Sequence, residues 1–285
     1  PIARRMIRLT RTVRFCINPP APERSAADAD PGASHNGFGG KPAMSGLGRY
    51  YELDLEVTGD PDPDTGYLVS IRDLDTTARV AALPIIERAC VDAPHTDPSE
   101  MLHDLARAVT AELPDAARLA RLRWRLTPTY STEIRMPDAD RAVLRQRFDF
   151  AAAHRLHAPA LSDDDNRALY GRCNNPAGHG HNYVFEPAVA VRLDPDSPRP
   201  AFDLAALERL ADRVILDRYD HAHLNADTPE FDPDRGGAVP SVEHIARTFY
   251  ERLGPAVADA SEDAAELLHV TVWETDRTSA TYPAE

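Results

Sequence analysis

Cysteine is scarce in this chain of 285 residues, which holds three: Cys16, Cys90 and Cys173. An odd, widely spaced set argues against a disulfide framework, so a reducing, cytoplasmic setting is the expectation. Positive charge is in deficit, with 32 Lys and Arg against 46 Asp and Glu and a net charge of −14. That excludes a general polyanion binder, and no nucleic-acid partner is expected. Nothing approaches the ~18 uninterrupted apolar residues of a membrane span, nor is there the apolar segment of a secretory signal, so no membrane partner is expected. Histidine is thin in the first half: His35, His95 and His103 precede residue 150, and the other eight of 11 follow it. Chemistry that needs imidazole therefore sits late.

What is present can build real cores, since 42% of residues are hydrophobic. The length exceeds the usual single core of about 100–200 residues, which predicts two domains or two halves. Residues 19–45 are rich in Pro, Ala, Gly, Asp and Ser and read as loop. A polar stretch from Met136 to Asp140 marks a joint, dividing the chain into 1–136 and 137–285.

In the back half Phe148, Phe150, Ala152 and His154 alternate on one strand face, as do Tyr183, Phe185, Val189, Val191 and Leu193 on another. Pro187 cannot donate to a ladder, so that strand is predicted at an edge or bulged there. Leu204, Leu207, Ala211, Val214 and Ile215 repeat at helical spacing behind an Asp203 cap; Val242, Ile245, Ala246, Phe249 and Leu253 do so behind Ser241. Leu268, Val270, Val272 and Glu274 then share a strand face, and Thr278 to Tyr282 can return as its hairpin partner.

The front half runs through the same order. Phe15 and Ile17 open it, Tyr51 to Val57 alternate, Leu74 to Ala89 and Leu102 to Leu113 are helical in pattern, and Leu122, Trp124 and Leu126 close it. Gly178-His179-Gly180-His181-Asn182-Tyr183 has a counterpart in Gly46-Leu47-Gly48-Arg49-Tyr50-Tyr51. Pro240-Ser241 with Ile245-Ala246-Arg247 likewise echoes Pro98-Ser99 with Leu105-Ala106-Arg107. The chain reads as two similar halves.

Four features of the back half carry chemistry. His179 and His181 stand two apart, so on a strand both imidazoles point to one side and can grip one ion. His154 or its neighbour His157 can add a third nitrogen, giving the open three-histidine site suited to catalytic zinc. Cys173, among Asn, Pro and Gly, reads as a buried small hydrophobe, a fourth metal ligand, or a thiolate base or nucleophile. Asp220-His221 can form a carboxylate-oriented imidazole, or merely a solvated helix end. Glu274 continues an apolar face, where a carboxylate must be paired or must anchor a ligand; Leu126 fills the matching front-half position.

Phe150-Ala151-Ala152-Ala153-His154-Arg155-Leu156, the Cys173 to His181 run, Asp220-His221 with Leu224-Asn225, Ser241-Val242-Glu243 and Trp273-Glu274-Thr275 resemble the 6-pyruvoyl-tetrahydropterin synthase family, which has queuosine-pathway relatives that make 6-carboxy-tetrahydropterin. The resemblance covers about residues 145–285. It implies an α+β tunnelling fold: a four-stranded antiparallel sheet with two helices on one face, here in tandem, oligomerising into a β-barrel. It implies further that His154, His179 and His181 hold zinc, that Cys173 abstracts a proton, that Asp220 and His221 complete a relay, and that Glu274 anchors a pterin ring. Ser241 offers the ring a hydroxyl, although Val242 and His244 depart from the family's Thr-Thr-Glu-Asn stretch. Arg155 and Arg172 are the candidates for the triphosphate of a dihydroneopterin triphosphate substrate. Five residues between Cys173 and His179 match the pyruvoyl pattern, whereas the queuosine relatives more often show three. A non-catalytic, zinc-stabilised pterin-binding protein is the remaining reading. The front half has Leu47 and Arg49 for the histidine pair and cannot assemble the same site.

Overall fold

The computed structural model describes residues 6–19, 37–38, 42, 44–136, 138–193 and 200–284. Most of the expected 19–45 loop, with His35, and Pro137 of the expected joint lie outside the described residues. Contacts gather the chain into two units, Pro1–Val143 with Leu193–Pro200, and Leu144–Arg192 with Ala201–Glu285. The division falls beyond the Met136–Asp140 stretch. No helix among the described residues is long and apolar enough to cross a membrane.

The first unit runs β1 (Ile7–Ile17), β2 (Arg49–Gly59), α1 (Ile71–Ala81), α2 (Leu83–Asp92), α3 (Pro98–Glu112), β3 (Arg118–Arg125) and β4 (Tyr130–Arg135). Its strands pair antiparallel in chain order. Alternation sends Val13, Phe15, Leu53, Leu55, Leu122 and Trp124 into a core shared with Leu74, Ala78, Leu102, Leu105 and Val109 of the helices. Arginines on β3 meet acids of β2 on the other face: Arg125 lies 2.7 Å from Asp54 and Arg121 2.9 Å from Glu56. Two expectations change here. The single helix expected over Leu74 to Ala89 is two, because Pro84 enters at the start of α2 and cannot extend the ladder of α1. β4 gave no period-2 signal because Tyr130 to Ile134 are buried on both faces.

β5 (Arg141–Gln146) leads into the second unit, which continues β6 (Phe148–His154), α4 (Asp163–Tyr170), β7 (His179–Arg192), α5 (Leu204–Ala211), α6 (Asp217–Tyr219), β8 (Ala222–His223), α7 (Leu224–Asp227), α8 (Val242–Ala260), β9 (Ala265–Thr275) and β10 (Thr278–Tyr282). β6, β7, β9 and β10 pair antiparallel in that order, and β8 adds a short parallel pairing to β6. The caps expected from sequence are made: Asp203 accepts from Ala206 N–H and Ser241 from His244 N–H. A π-helical turn, Asp212–Leu216, prolongs α5 and seats Ile215 in the core. Pro187 lies beyond the stretch of β7 that pairs with β6, one residue before a bulge between Ala188 and Val189. That bulge moves the face of β9, so Leu267 rather than Leu268 joins Val270 and Val272 in the core.

The two units share a register. Phe15 faces Tyr51 and Phe150 faces Tyr183 across the first two long strands of each unit. One step along, Ile17 faces Arg49 where Ala152 faces His181. Leu53 faces Trp124 as Phe185 faces Val272, which makes Leu126 the counterpart of Glu274. Both second strands are entered through a glycine at positive φ, 57° at Gly46 and 72° at Gly178. The helix starts differ: α8 is capped by Ser241, but α3 is capped by Asp97, with Ser99 inside the helix.

Phe249 of α8 ties the second core together, with ring centroids 5.4 Å from Phe150, 5.3 Å from Phe185 and 5.0 Å from Tyr219. Phe249→Ala is expected to cost about 3–5 kcal/mol, read as a shift in the urea midpoint by far-ultraviolet circular dichroism.

Candidate metal and active site

The antiparallel register of β6 and β7 sets His154 opposite His179 and Ala152 opposite His181. Side chains alternate, so all three imidazoles emerge on the core-facing side, at the end of the face that carries Phe150 and Tyr183. One ring nitrogen from each lies within 4.8 Å of the others, and His154 Nε2 is 3.1 Å from His179 Nε2. His157, the competing candidate, instead contacts Asn174 and Arg155.

His154 is fully buried. Its Nδ1–H donates to the Pro240 carbonyl at 2.7 Å, which fixes the tautomer and leaves the Nε2 lone pair facing the cluster. The Tyr183 hydroxyl lies 3.3 Å from the same Nδ1, and the Tyr183 ring stacks on Phe150 at 4.8 Å. Burial, with the neighbouring charges of His179 and His181, pushes His154 from 6.5 down to about 4 against the pull of the Pro240 bond. Burial and the charge of His181 also lower His179, while Glu274 opposes them. Burial raises the Tyr183 phenol, and the charges of Glu274 and Cys173 add to it. Desolvation therefore favours the neutral forms of His154 and His179, the form in which an imidazole ligates a metal. His179 Nδ1 and His181 Nε2 are buried without a hydrogen-bond partner, a set of donors that fits a divalent cation.

Glu274 joins this group. Its Oε1 lies 3.5 Å from His154 Nε2 and 3.6 Å from His181 Nε2. Cys173 sits half-buried in a 3₁₀ turn, Gly171–Asn174, whose Cys173 carbonyl accepts from Leu156 N–H at 2.9 Å, two residues past His154. Its sulfur is not part of the three-imidazole group. Asp220 and His221 come together at the edge of β6 where β8 pairs: Asp220 Oδ1 accepts from Ala151 N–H at 2.8 Å and its Oδ2 lies 2.9 Å from His221 Nδ1. The Ala151 bond, then His221, hold the Asp220 carboxyl below its usual range despite some desolvation. His221 itself is exposed, with φ of 59°. Arg155 donates from Nε to the Asn174 carbonyl at 3.1 Å, Arg172 is exposed, and the Ser241 hydroxyl is engaged in capping α8.

A cavity of about 530 Å³ lies beside the site, lined by Ala151 to Ala153, Gly180, His181, Asn182, His221, His223 and Asp227. A larger groove of about 620 Å³ between α2 and α3 has no imidazole or thiol in its lining. The sequence reading missed Tyr183, Pro240 and His223 as parts of this environment. Tyr183 was findable, since it continues the alternation of His179 and His181; the other two arrive through tertiary contact. His223 also explains Gly178: a Cβ there would stand 2.7 Å from His223 Nε2 and 3.0 Å from the His154 carbonyl oxygen.

Gly178→Ala, strained both by that contact and by positive φ, is expected to weaken divalent-cation binding at least about tenfold, measured by competition with a chromogenic chelator. A pH effect follows from His154. Unfolded, it takes its proton near 6.5; folded, only near 4, so stability is present above 6.5 and is lost as pH falls through that window. Urea unfolding of chelator-treated protein at pH 7 and 4.5 is expected to show the loss, and His154→Gln to reduce the difference.

The family model for 6-pyruvoyl tetrahydropterin synthase matches residues 143–285. The human 6-pyruvoyl tetrahydrobiopterin synthase is 33% identical over 144 residues, 50% of this chain and 92% of that protein. A guppy (Poecilia reticulata) enzyme of the same name is 34% identical, over 48% of this chain and 86% of its own. A putative Caenorhabditis elegans one is 37% identical, over 49% of this chain and 94% of its own. Among solved structures, the C. elegans 6-pyruvoyl tetrahydropterin synthase covers 51% of this chain and 96% of itself at 34% identity, with a TM-score of 0.44. The matched stretch holds every histidine, cysteine and carboxylate of the site described above, and the chain belongs to the 6-pyruvoyl tetrahydropterin synthase family.

Proposed function

We propose that the protein is a zinc-dependent lyase that converts 7,8-dihydroneopterin triphosphate to 6-pyruvoyl-tetrahydropterin with release of triphosphate. The observation that carries the reading is the convergence of His154, His179 and His181 with Glu274 beside them. The three imidazoles would hold the ion. Zinc, when bound, supplies a Lewis acid that acidifies the carbon-bound protons next to side-chain hydroxyls.

The remaining steps fall to this chain's residues. Glu274 can accept two N–H bonds from the edge of a pterin ring, which would place the ring's side chain at the histidines. Cys173, half-exposed and separate from the imidazole group, is available as a base rather than as a fourth ligand. Asp220 orients the His221 imidazole, which can pass the proton on. Loss of a carbon-bound proton with departure of triphosphate, followed by tautomerisation, oxidises the side chain and reduces the ring internally, so no redox cofactor enters. Ser241 and the guanidinium groups of Arg155 and Arg172 are assigned to the ring and the triphosphate. The five-residue spacing from Cys173 to His179 favours the pyruvoyl over the carboxy product.

The front unit, cut by sequence at 1–136 against 137–285, is read as a degenerate tandem copy of the same tunnelling fold. The matched register of Phe15 with Tyr51 and Phe150 with Tyr183 supports this. Its role is assembly: the strands it adds help close a homo-oligomeric β-barrel, which removes exposed edges. The compartment assigned is the cytoplasm.

Mass spectrometry after incubation with zinc and dihydroneopterin triphosphate is expected to show 6-pyruvoyl-tetrahydropterin and triphosphate. A 6-carboxy product or no reaction sinks the assignment. Cys173→Ala is expected to keep one zinc per chain and to lose turnover by at least about a hundredfold.

A further inference from the structure

After His154 the chain leaves β6, and the backbone of residues 155–158 is held by side chains instead of by a neighbouring strand. Asn225 Oδ1 accepts from Arg155 N–H at 2.7 Å, and Asn225 Nδ2 donates to the Arg155 carbonyl at 3.1 Å. Asn174 Nδ2 donates to the Leu156 carbonyl at 2.7 Å, beside the bond from Leu156 N–H to Cys173. Asn166 repeats the double grip on Ala158, at 2.7 Å to its N–H and 3.0 Å to its carbonyl. A primary amide is suited to this because it presents an acceptor and donors in one plane and can satisfy both polar groups of one residue.

Asn225 differs from the other two in where it comes from. It follows Asp220 and His221 on the segment whose β8 pairs with Ala152 and Ala153. Asp220 grips Ala151 on one side of His154, and Asn225 grips Arg155 on the other. The candidate ligand thus sits between two side-chain anchors from the relay segment, and the candidate base hangs from the next residue but one.

We propose that Asn225 is a positioning residue: by holding both polar groups of Arg155 it sets the His154 imidazole, and through Leu156 the Cys173 turn, in register with the Asp220–His221 pair. This rests on the three-histidine metal reading above. A register of this kind is what keeps a ligand and a base within the sub-ångström tolerance that metal binding and proton transfer require.

The test is Co²⁺ titration of the chelator-treated full chain, followed by visible absorption, for wild type, Asn225→Ala and Asn225→Asp. Asn225→Ala is expected to weaken Co²⁺ binding about 10- to 100-fold. Asn225→Asp, which keeps the acceptor but not the donor, is expected to fall between it and wild type, and it decides the matter if the alanine variant does not fold. Wild-type Co²⁺ affinity and absorption in the folded variants, with only a lowered melting midpoint, would overturn the proposal and leave the metal site intact. If wild type itself binds no Co²⁺, the three-histidine reading falls and this role falls with it.

Discussion

The site depends on one register. His154 faces His179 because β6 and β7 pair antiparallel with Ala152 opposite His181, and the pleat then sends all three rings to one side. A slip of one residue would send His154 to the opposite face from the other two. Two features hold the register: the stacked Phe150–Tyr183 pair a step away, and the turn at Gly178, where the His223 ring leaves no room for a side chain. Chemistry and packing are therefore specified by the same few hydrogen bonds, and the aromatic floor beneath the imidazoles is also the top of the hydrophobic core.

Much of this was legible because it is periodic or local. Alternation gave β6, β7, β9 and β10, and caps at Asp203 and Ser241 gave two helix starts. The His-x-His pair put two imidazoles on one side of a strand, and His154, which competed with His157 for the third place, joins them across the β6–β7 pairing. What escaped is non-periodic. Pro84 broke a helix whose apolar spacing ran on through it, and the bulge at Ala188 and Val189 exchanged Leu267 for Leu268. β4 is buried on both faces and so shows no alternation. The Pro240 carbonyl that orients His154 lies 86 residues away in sequence and carries no side-chain signal at all.

The two units show how little of a fold its chemistry needs to occupy. They share the aromatic pairs Phe15–Tyr51 and Phe150–Tyr183 and the register around them, yet Arg49 stands where His181 does and Leu126 where Glu274 does. None of these exchanges disturbs the core, since the histidine and glutamate positions lie at the ends of strands, past the last fully packed layer. Without those side chains the first unit still packs Phe15, Tyr51 and Trp124 in its core. The reverse also holds: the presence of the sheet says nothing about activity.

Burial of the histidines has two consequences that pull in opposite directions. Burying His179 Nδ1 and His181 Nε2 without a hydrogen-bond partner carries a desolvation cost. The same desolvation holds His154 near a pKa of about 4 and lowers His179, so near neutral pH both are already deprotonated and ready to bind a cation. A solvent-exposed cluster would avoid the first effect but would have to lose protons before coordinating. Glu274, within 3.6 Å of two of the rings, supplies negative charge that favours a cation in the pocket while still leaving the carboxylate partly open to a ligand. The cost of burying these nitrogens and their readiness to bind a cation thus arise from the same packing of the three rings.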